Sequence, residues 1–348
     1  MRASVAKVRI FLLVSTLLCG GGLPAFAGWD EGLAAYNAGD YDTAITHFRA
    51  LAESGDAASQ HAMGFLTLNG FGTPADSAAA AKWFGLAASQ GFAIAQYDLA
   101  TLYFDGDGVA PDDSRAFDLF KAAAAQGHAG AQEYVGYFFE KGIATETDFA
   151  EAARWYRQSA EQGWAGGQYG LGRLHVFGWG VEKNPAEAAK WLTLAADQDL
   201  ADAQYLLGSL YLDGSGVAKT PDKAASLFRA AADKGSPDAQ AALAALYERG
   251  EGVPRDYKRA VGLYLQAVES PYLGRPFAMF DLGELYEAGN GVPKDLVAAH
   301  MWYHLAASVS MIGSDQAVER RDAVAAKLSP AEVSEAESRA QNWLAQHP

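Results

Sequence analysis

The chain has 348 residues, half of them apolar and a fifth charged, with 42 acidic against 27 basic side chains, a net charge of −15 and one cysteine. These figures exclude a collagen-like chain, a disulfide-stapled miniprotein and a disordered polyanion. They also argue against an electrostatic grip on nucleic acid or anionic lipid, because no local basic stripe offsets the acidic excess.

Residues 1–27 read as a secretory signal peptide: Arg2, Lys7 and Arg9 precede the apolar stretch Ile10 to Leu18, and Pro24-Ala25-Phe26-Ala27 ends in small residues before Gly28. The apolar run dissolves into Gly20-Gly21-Gly22, short of the about 20 residues that a spanning helix needs. Lipidation at Cys19 is the alternative, although Leu18 stands where a small residue is expected. Cleavage would remove three basic residues and Cys19, leaving 24 basic against 42 acidic groups and a charge of −18. A periplasmic or secreted chain is the expectation. After cleavage it would keep no integral membrane segment and no thiol for disulfides or metal.

Residues 28–55 read as a short leading helical hairpin marked by Tyr36, Gly39, Tyr41, Ala44 and Phe48. From residue 56 to 313 a 36-residue period takes over. Gln60, Gln96, Gln132, Gln168, Gln204 and Gln240 are 36 apart, and Met279 takes the next slot after 39. A small residue follows each by four (Gly64, Ala100, Gly136, Gly172, Gly208, Ala244, Gly283), and a glycine follows by ten, from Gly70 to Gly289. Leu99, Leu102 and Tyr103 show the helical spacing of a first helix, whose stripe stops at Gly106. The second helix carries alanines such as Ala80 and Ala188, followed by aromatic pairs such as Trp83-Phe84 and Trp302-Tyr303. No single hairpin buries its stripe, so the period predicts an all-α, right-handed α/α solenoid of stacked hairpins. Ala144 interrupts the second set of turn glycines, which predicts a differently shaped turn in the third copy. Residues 314–348 read as two capping helices, the second beginning near Ser329-Pro330, with Trp343 as an apolar plug.

The pattern over 56–313 resembles the Sel-one-like repeat, a relative of the tetratricopeptide repeat. It is carried by Ala95-Gln96, the Gly64 and Gly208 class, the turns at Gly108-Val109, Gly216-Val217, Gly252-Val253 and Gly291-Val292, and the alanines preceding Trp83 and Trp191. The resemblance implies a platform for protein complexes, its exported bacterial members including regulators of envelope signalling, exopolysaccharide assembly scaffolds and host-protein binders. One branch of that family staples each repeat with a disulfide, which this chain has no cysteines to form.

No phosphate-binding loop, nucleophile elbow or zinc-protease motif is present, so the sequence offers no catalytic residue, cofactor or metal site. Asp105, Asp107, Asp112 and Asp113 lack the spacing of a calcium loop. His300 and His304 have ligand spacing without a third ligand, and His175 fills a slot held elsewhere by tyrosine. A partner, protein or peptide, is expected in the concave groove lined by the first helices. The candidate contacts are Tyr97, Tyr137, Tyr169, Arg173 and Tyr205, which form a ladder that could equally be half buried by stacking. The fourth copy adds Trp164, Phe177 and Trp179, where other copies are mostly polar. Carboxylate pairs such as Asp112-Asp113 and Glu284 with Glu287 read as solvated surface. Two alternatives stand beside the scaffold: a cell-wall or polysaccharide hydrolase using groove carboxylates, and a module that captures glycan or peptide.

Overall fold

A computed structural model describes residues 28–269, 275–309 and 314–347, and the proposed signal peptide with Cys19 lies outside them. Every element among the described residues is helical. The chain divides into two compact units, up to Gly167 and from Gln168. The first holds α1 (Trp29–Asn37), α2 (Tyr41–Glu53), α3 (Ala57–Asn69), α4 (Ser77–Ser89), α5 (Ala93–Asp105), α6 (Asp113–Ala125), α7 (Ala129–Lys141) and α8 (Phe149–Glu161). The division falls within α9 (Ala165–Phe177). The second continues with α10 (Pro185–Ala196), α11 (Ala201–Asp213), α12 (Pro221–Asp233), α13 (Pro237–Arg249), α14 (Tyr257–Val268), α15 (Arg275–Ala288), α16 (Leu296–Val309), α17 (Ser314–Ala325) and α18 (Pro330–Gln346). Within each unit consecutive helices pack on one another, and α17 and α18 both pack on α16, an α/α solenoid of stacked hairpins.

Local chemistry sets the ends of these helices. In the second helices of the repeats, Asp76, Asp112, Asp148, Asn184 and Asp256 accept the backbone N–H of the third helical residue. That satisfies a donor which a helix start otherwise leaves orphaned. Asp112 is therefore a cap, and it also pairs with Arg115 at 3.2 Å. First helices end at glycines in the left-handed conformation, as at Gly106 and Gly214, with φ 72° and 75°.

The second turn glycine has a different task. A Cβ on Gly108 would lie 2.3 Å from the backbone of Ser77, on Gly216 2.3 Å from Pro185, and on Gly252 2.3 Å from Pro221. In each case the glycine is pressed against the start of the preceding hairpin's second helix. Ala144, expected to give a differently shaped turn, instead holds the same left-handed conformation at φ 54°. Ala144 thus adopts at this register a conformation that costs an L side chain strain. Ala144→Gly should therefore stabilise the protein by about 0.5–1 kcal/mol, the relief of left-handed strain being partly offset by a freer unfolded chain. Urea denaturation compared with wild type checks the sign.

The small residue four after each glutamine makes room inside its own hairpin. A Cβ on Gly64, Gly208 or Gly283 would lie 2.6–2.7 Å from the rings of Phe84, Phe228 and Tyr303. These rings are fully buried, with 1% exposure or less.

The repeating glutamines are staples. In the first unit the Nε2 of Gln60, Gln96 and Gln132 donates back to the carbonyls of Ala52, Ala88 and Ala124, near the end of the preceding hairpin's second helix. Their Oε1 atoms accept from Gln90, Gln126 and Gln162 at 2.7–2.8 Å, just beyond their own hairpin's second helix. In the second unit Gln198 serves Gln168 at 2.9 Å, and Lys234 replaces glutamine beside Gln204 at 3.0 Å. A buried amide must have both ends satisfied. Here satisfaction ties one hairpin to the next.

Candidate partner-binding surface

The residues one, five and nine after each glutamine lie on one face of the first helix by helical spacing. Their environments differ sharply. The first position is buried at His61 and half buried in the other copies, and the residue at the start of the next first helix packs against it. His61 meets Phe92 at 5.6 Å, and Tyr97 stacks on His128 at 4.5 Å. In the second unit Tyr169 and Leu200 pack on one core cluster. The ninth position is exposed in all seven copies, as Asn69, Asp105, Lys141, Phe177, Asp213, Arg249 and Ala288.

In the first unit, Tyr97 and Tyr137 are half-buried packing residues. Tyr97 also meets Tyr134 edge-on at 6.0 Å, while Tyr137 lies edge-on to Phe104 at 6.3 Å. Trp164 keeps 40% exposure, but its indole N–H donates to Glu133 Oε2 at 2.6 Å. Burial pushes the Glu133 carboxyl pKa up, and the indole hydrogen bond opposes that shift. The first-helix glycines permit this arrangement, since a Cβ at Gly130 would meet the Trp164 ring and one at Gly166 would fall on the Glu133 carboxylate. Trp164 thus has a partner inside the repeat array.

In the second unit, Tyr205 is half buried against Phe228 at 5.8 Å, and burial raises its hydroxyl pKa. The structure gathers Tyr169, Arg173 and Trp179 together with Phe177. The Arg173 guanidinium lies over the Tyr169 ring at 5.6 Å and the Trp179 ring at 5.9 Å. Phe177 and Trp179 stack at 4.7 Å and remain 48% and 39% exposed. An aromatic at the Trp179 position also occurs in the first repeat, where Phe71 stacks on Tyr41 at 4.8 Å, so this slot has a packing use. Phe177 has no such precedent. Every other copy fills that exposed position with a polar, charged or small side chain.

Several carboxylates of the first helices are engaged with other side chains. Tyr156, Tyr264 and Tyr303 donate to Glu140, Glu248 and Glu287 at 3.0–3.2 Å. These are the three repeats in which the buried ring is tyrosine; elsewhere the glutamate's slot holds Leu68, Phe104, Val176 or Leu212. Glu284 and Glu287 both pair with Arg320 of α17, and Glu287 also with Lys327. Asp281, close to Glu248 and Glu284, has its pKa pushed up to about 6, chiefly by burial. His175 is buried with Nδ1 on the Glu182 carbonyl at 3.1 Å, a core substitute. His300 is buried beside His304, with ring centres 6.4 Å apart. Among the described residues no group of three His, Cys, Asp or Glu could hold a metal, and no helix is long and apolar enough to cross a membrane.

The Sel1 repeat family matches residues 57–92, 93–128, 129–164, 165–200, 201–236, 237–272 and 276–309. Among solved structures, the chain is similar to c5321, a protective antigen of uropathogenic Escherichia coli strains displaying an SLR fold. That match has 33% identity and a TM-score of 0.83, and covers 92% of this chain and 68% of the antigen. It is also similar to a Sel1 repeat protein from Oxalobacter formigenes, with 29% identity and a TM-score of 0.64 over 69% of this chain and 96% of that one. Comparison with curated proteins gave no match. Sel1 repeat proteins are generally protein-interaction scaffolds. Seven consecutive repeats filling most of the sequence, with their turns, caps and staples in register, make this chain a member of the Sel1 repeat family.

Proposed function

We propose that this protein is an exported scaffold that holds a protein or peptide partner on the α9 platform of Tyr169, Arg173, Phe177 and Trp179. The observation that carries the reading is Phe177, a half-exposed aromatic at a position where every other repeat is polar, charged or small. Repeat packing does not require it, and large exposed aromatics beside an arginine are the composition of interface hot spots. Export is supported by the residues of 1–27 alone, and a role in envelope signalling or exopolysaccharide assembly by the family resemblance alone.

The test is crosslinking in the cell envelope with wild type and with a Phe177→Ser, Trp179→Ser double variant. Both side chains are substantially exposed, so the stability cost should stay within about 1 kcal/mol. The expected result is at least a tenfold loss of a specific crosslinked partner with the helical circular dichroism unchanged. Equal capture by the folded double variant would sink the platform.

A further inference from the structure

The first unit contains a histidine whose structural task only its neutral form can perform. His128 is the N-cap of α7, and its Nδ1 accepts the backbone N–H of Ala131 at 3.1 Å. The same ring stacks on Tyr97 at 4.5 Å and covers it. An imidazolium has no lone pair with which to accept, and it would set a positive charge against the positive end of the α7 dipole. The titratable groups around it are His61 on α3, Tyr97 and Asp98 on α5, and Glu133 and Tyr134 on α7 itself. Asp98 favours the cation, as does a hydrogen bond with the backbone of His128, but the Asp98 carboxylate is held by His61 Nε2 at 2.8 Å. His61 disfavours the cation, as does burial, which is the dominant influence and lowers the pKa of His128. His61 is itself buried, with no hydrogen-bond partner for Nδ1.

We propose that His128 makes the junction of the second and third repeats an acid-sensitive hinge: neutral, it caps α7 and covers Tyr97, and protonated, it releases both. In a stack whose repeats touch only their neighbours, losing one cap opens that junction without unfolding the rest. Acid would thus loosen α7 and uncover Tyr97 together.

The sign follows from linkage. The open form binds the proton more readily than the closed one, so opening grows as pH falls below the free imidazole value of about 6.5, by up to about tenfold at pH 5.5. The experiment is amide hydrogen exchange of the full-length protein at pH 7.5 and 5.5, corrected for the intrinsic rate, with wild type and His128→Asn. Asparagine caps a helix without titrating near neutral pH. Expected is a several-fold loss of protection in the first turn of α7 in wild type at pH 5.5, with α13 unchanged, and no such loss in His128→Asn. Equal protection of wild type at both pH values would overturn the proposal, as would the same loss in His128→Asn.

Discussion

Gly216→Ala should lower the unfolding free energy by about 3 kcal/mol, which combines left-handed strain with a backbone collision. Gly216 has φ 70°, a conformation that costs an alanine about 1–2 kcal/mol. The added methyl would also lie 2.3 Å from the carbonyl carbon of Pro185 and 2.4 Å from the nitrogen of Ala186. Both are backbone atoms at the start of α10, so no side-chain rotation relieves the contact. Ala144 shows that a methyl at this register can be accommodated where the hairpins are built around it, whereas the hairpin before Gly216 is seated against a bare glycine. Equilibrium urea denaturation checks the value, and a loss under about 0.5 kcal/mol would mean that the hairpins do not seat on these glycines.

Asp281→Asn should stabilise the protein near neutral pH and do little in acid. Burial, and after it the nearby carboxylates Glu248 and Glu284, lift the Asp281 pKa from 3.8 to about 6, while a hydrogen bond with Tyr264 and the charge of Arg249 oppose the shift. The folded chain therefore keeps a proton that the unfolded chain releases between pH 4 and 6. Its stability falls as pH rises through that window, and the full penalty is present above pH 6. A rise from 3.8 to about 6 corresponds to at most about 3 kcal/mol, since solvent reaches part of the group and screens it. Asparagine can still hydrogen-bond the Tyr264 hydroxyl oxygen through its amide N–H and removes the charge. Chemical denaturation at pH 4 and pH 7.5 should show the variant gaining up to that amount at pH 7.5 only. An equal effect at both values would mean that Asp281 is not held protonated.

Much of the fold was legible before any coordinates. Glycines at a fixed period, small residues in register and a 3.6-residue apolar stripe act within one hairpin, so each leaves a local mark in the chain. Helix type, turn position and stacking follow from those marks. The turn at Ala144 did not, because one residue's preference cannot show that neighbouring hairpins hold it in place.

The candidate site was legible only in part. Tyr169, Arg173 and Trp179 come together with Phe177, whereas Tyr97, Tyr137 and Tyr205 are half buried by their neighbours. Trp164 looked like a free contact and instead donates to Glu133, 31 residues away. Two signals could have shown more. A second glutamine series at Gln90, Gln126, Gln162 and Gln198 follows the first by 30 residues and marks the staple. Glutamate occurs at the position eight after the repeat marker only in repeats whose buried ring is tyrosine, which marks the Glu140, Glu248 and Glu287 pairs.

The sequence by itself determined that this chain is a stack of helical hairpins, where each hairpin turns, and that one copy carries surplus aromatics. Only the tertiary structure decided which polar groups satisfy one another and which aromatics stay exposed. The reason is geometric: a hairpin's shape is set by contacts within about 36 residues of chain, but burial and hydrogen-bond partners are set by the neighbour that stacks on it.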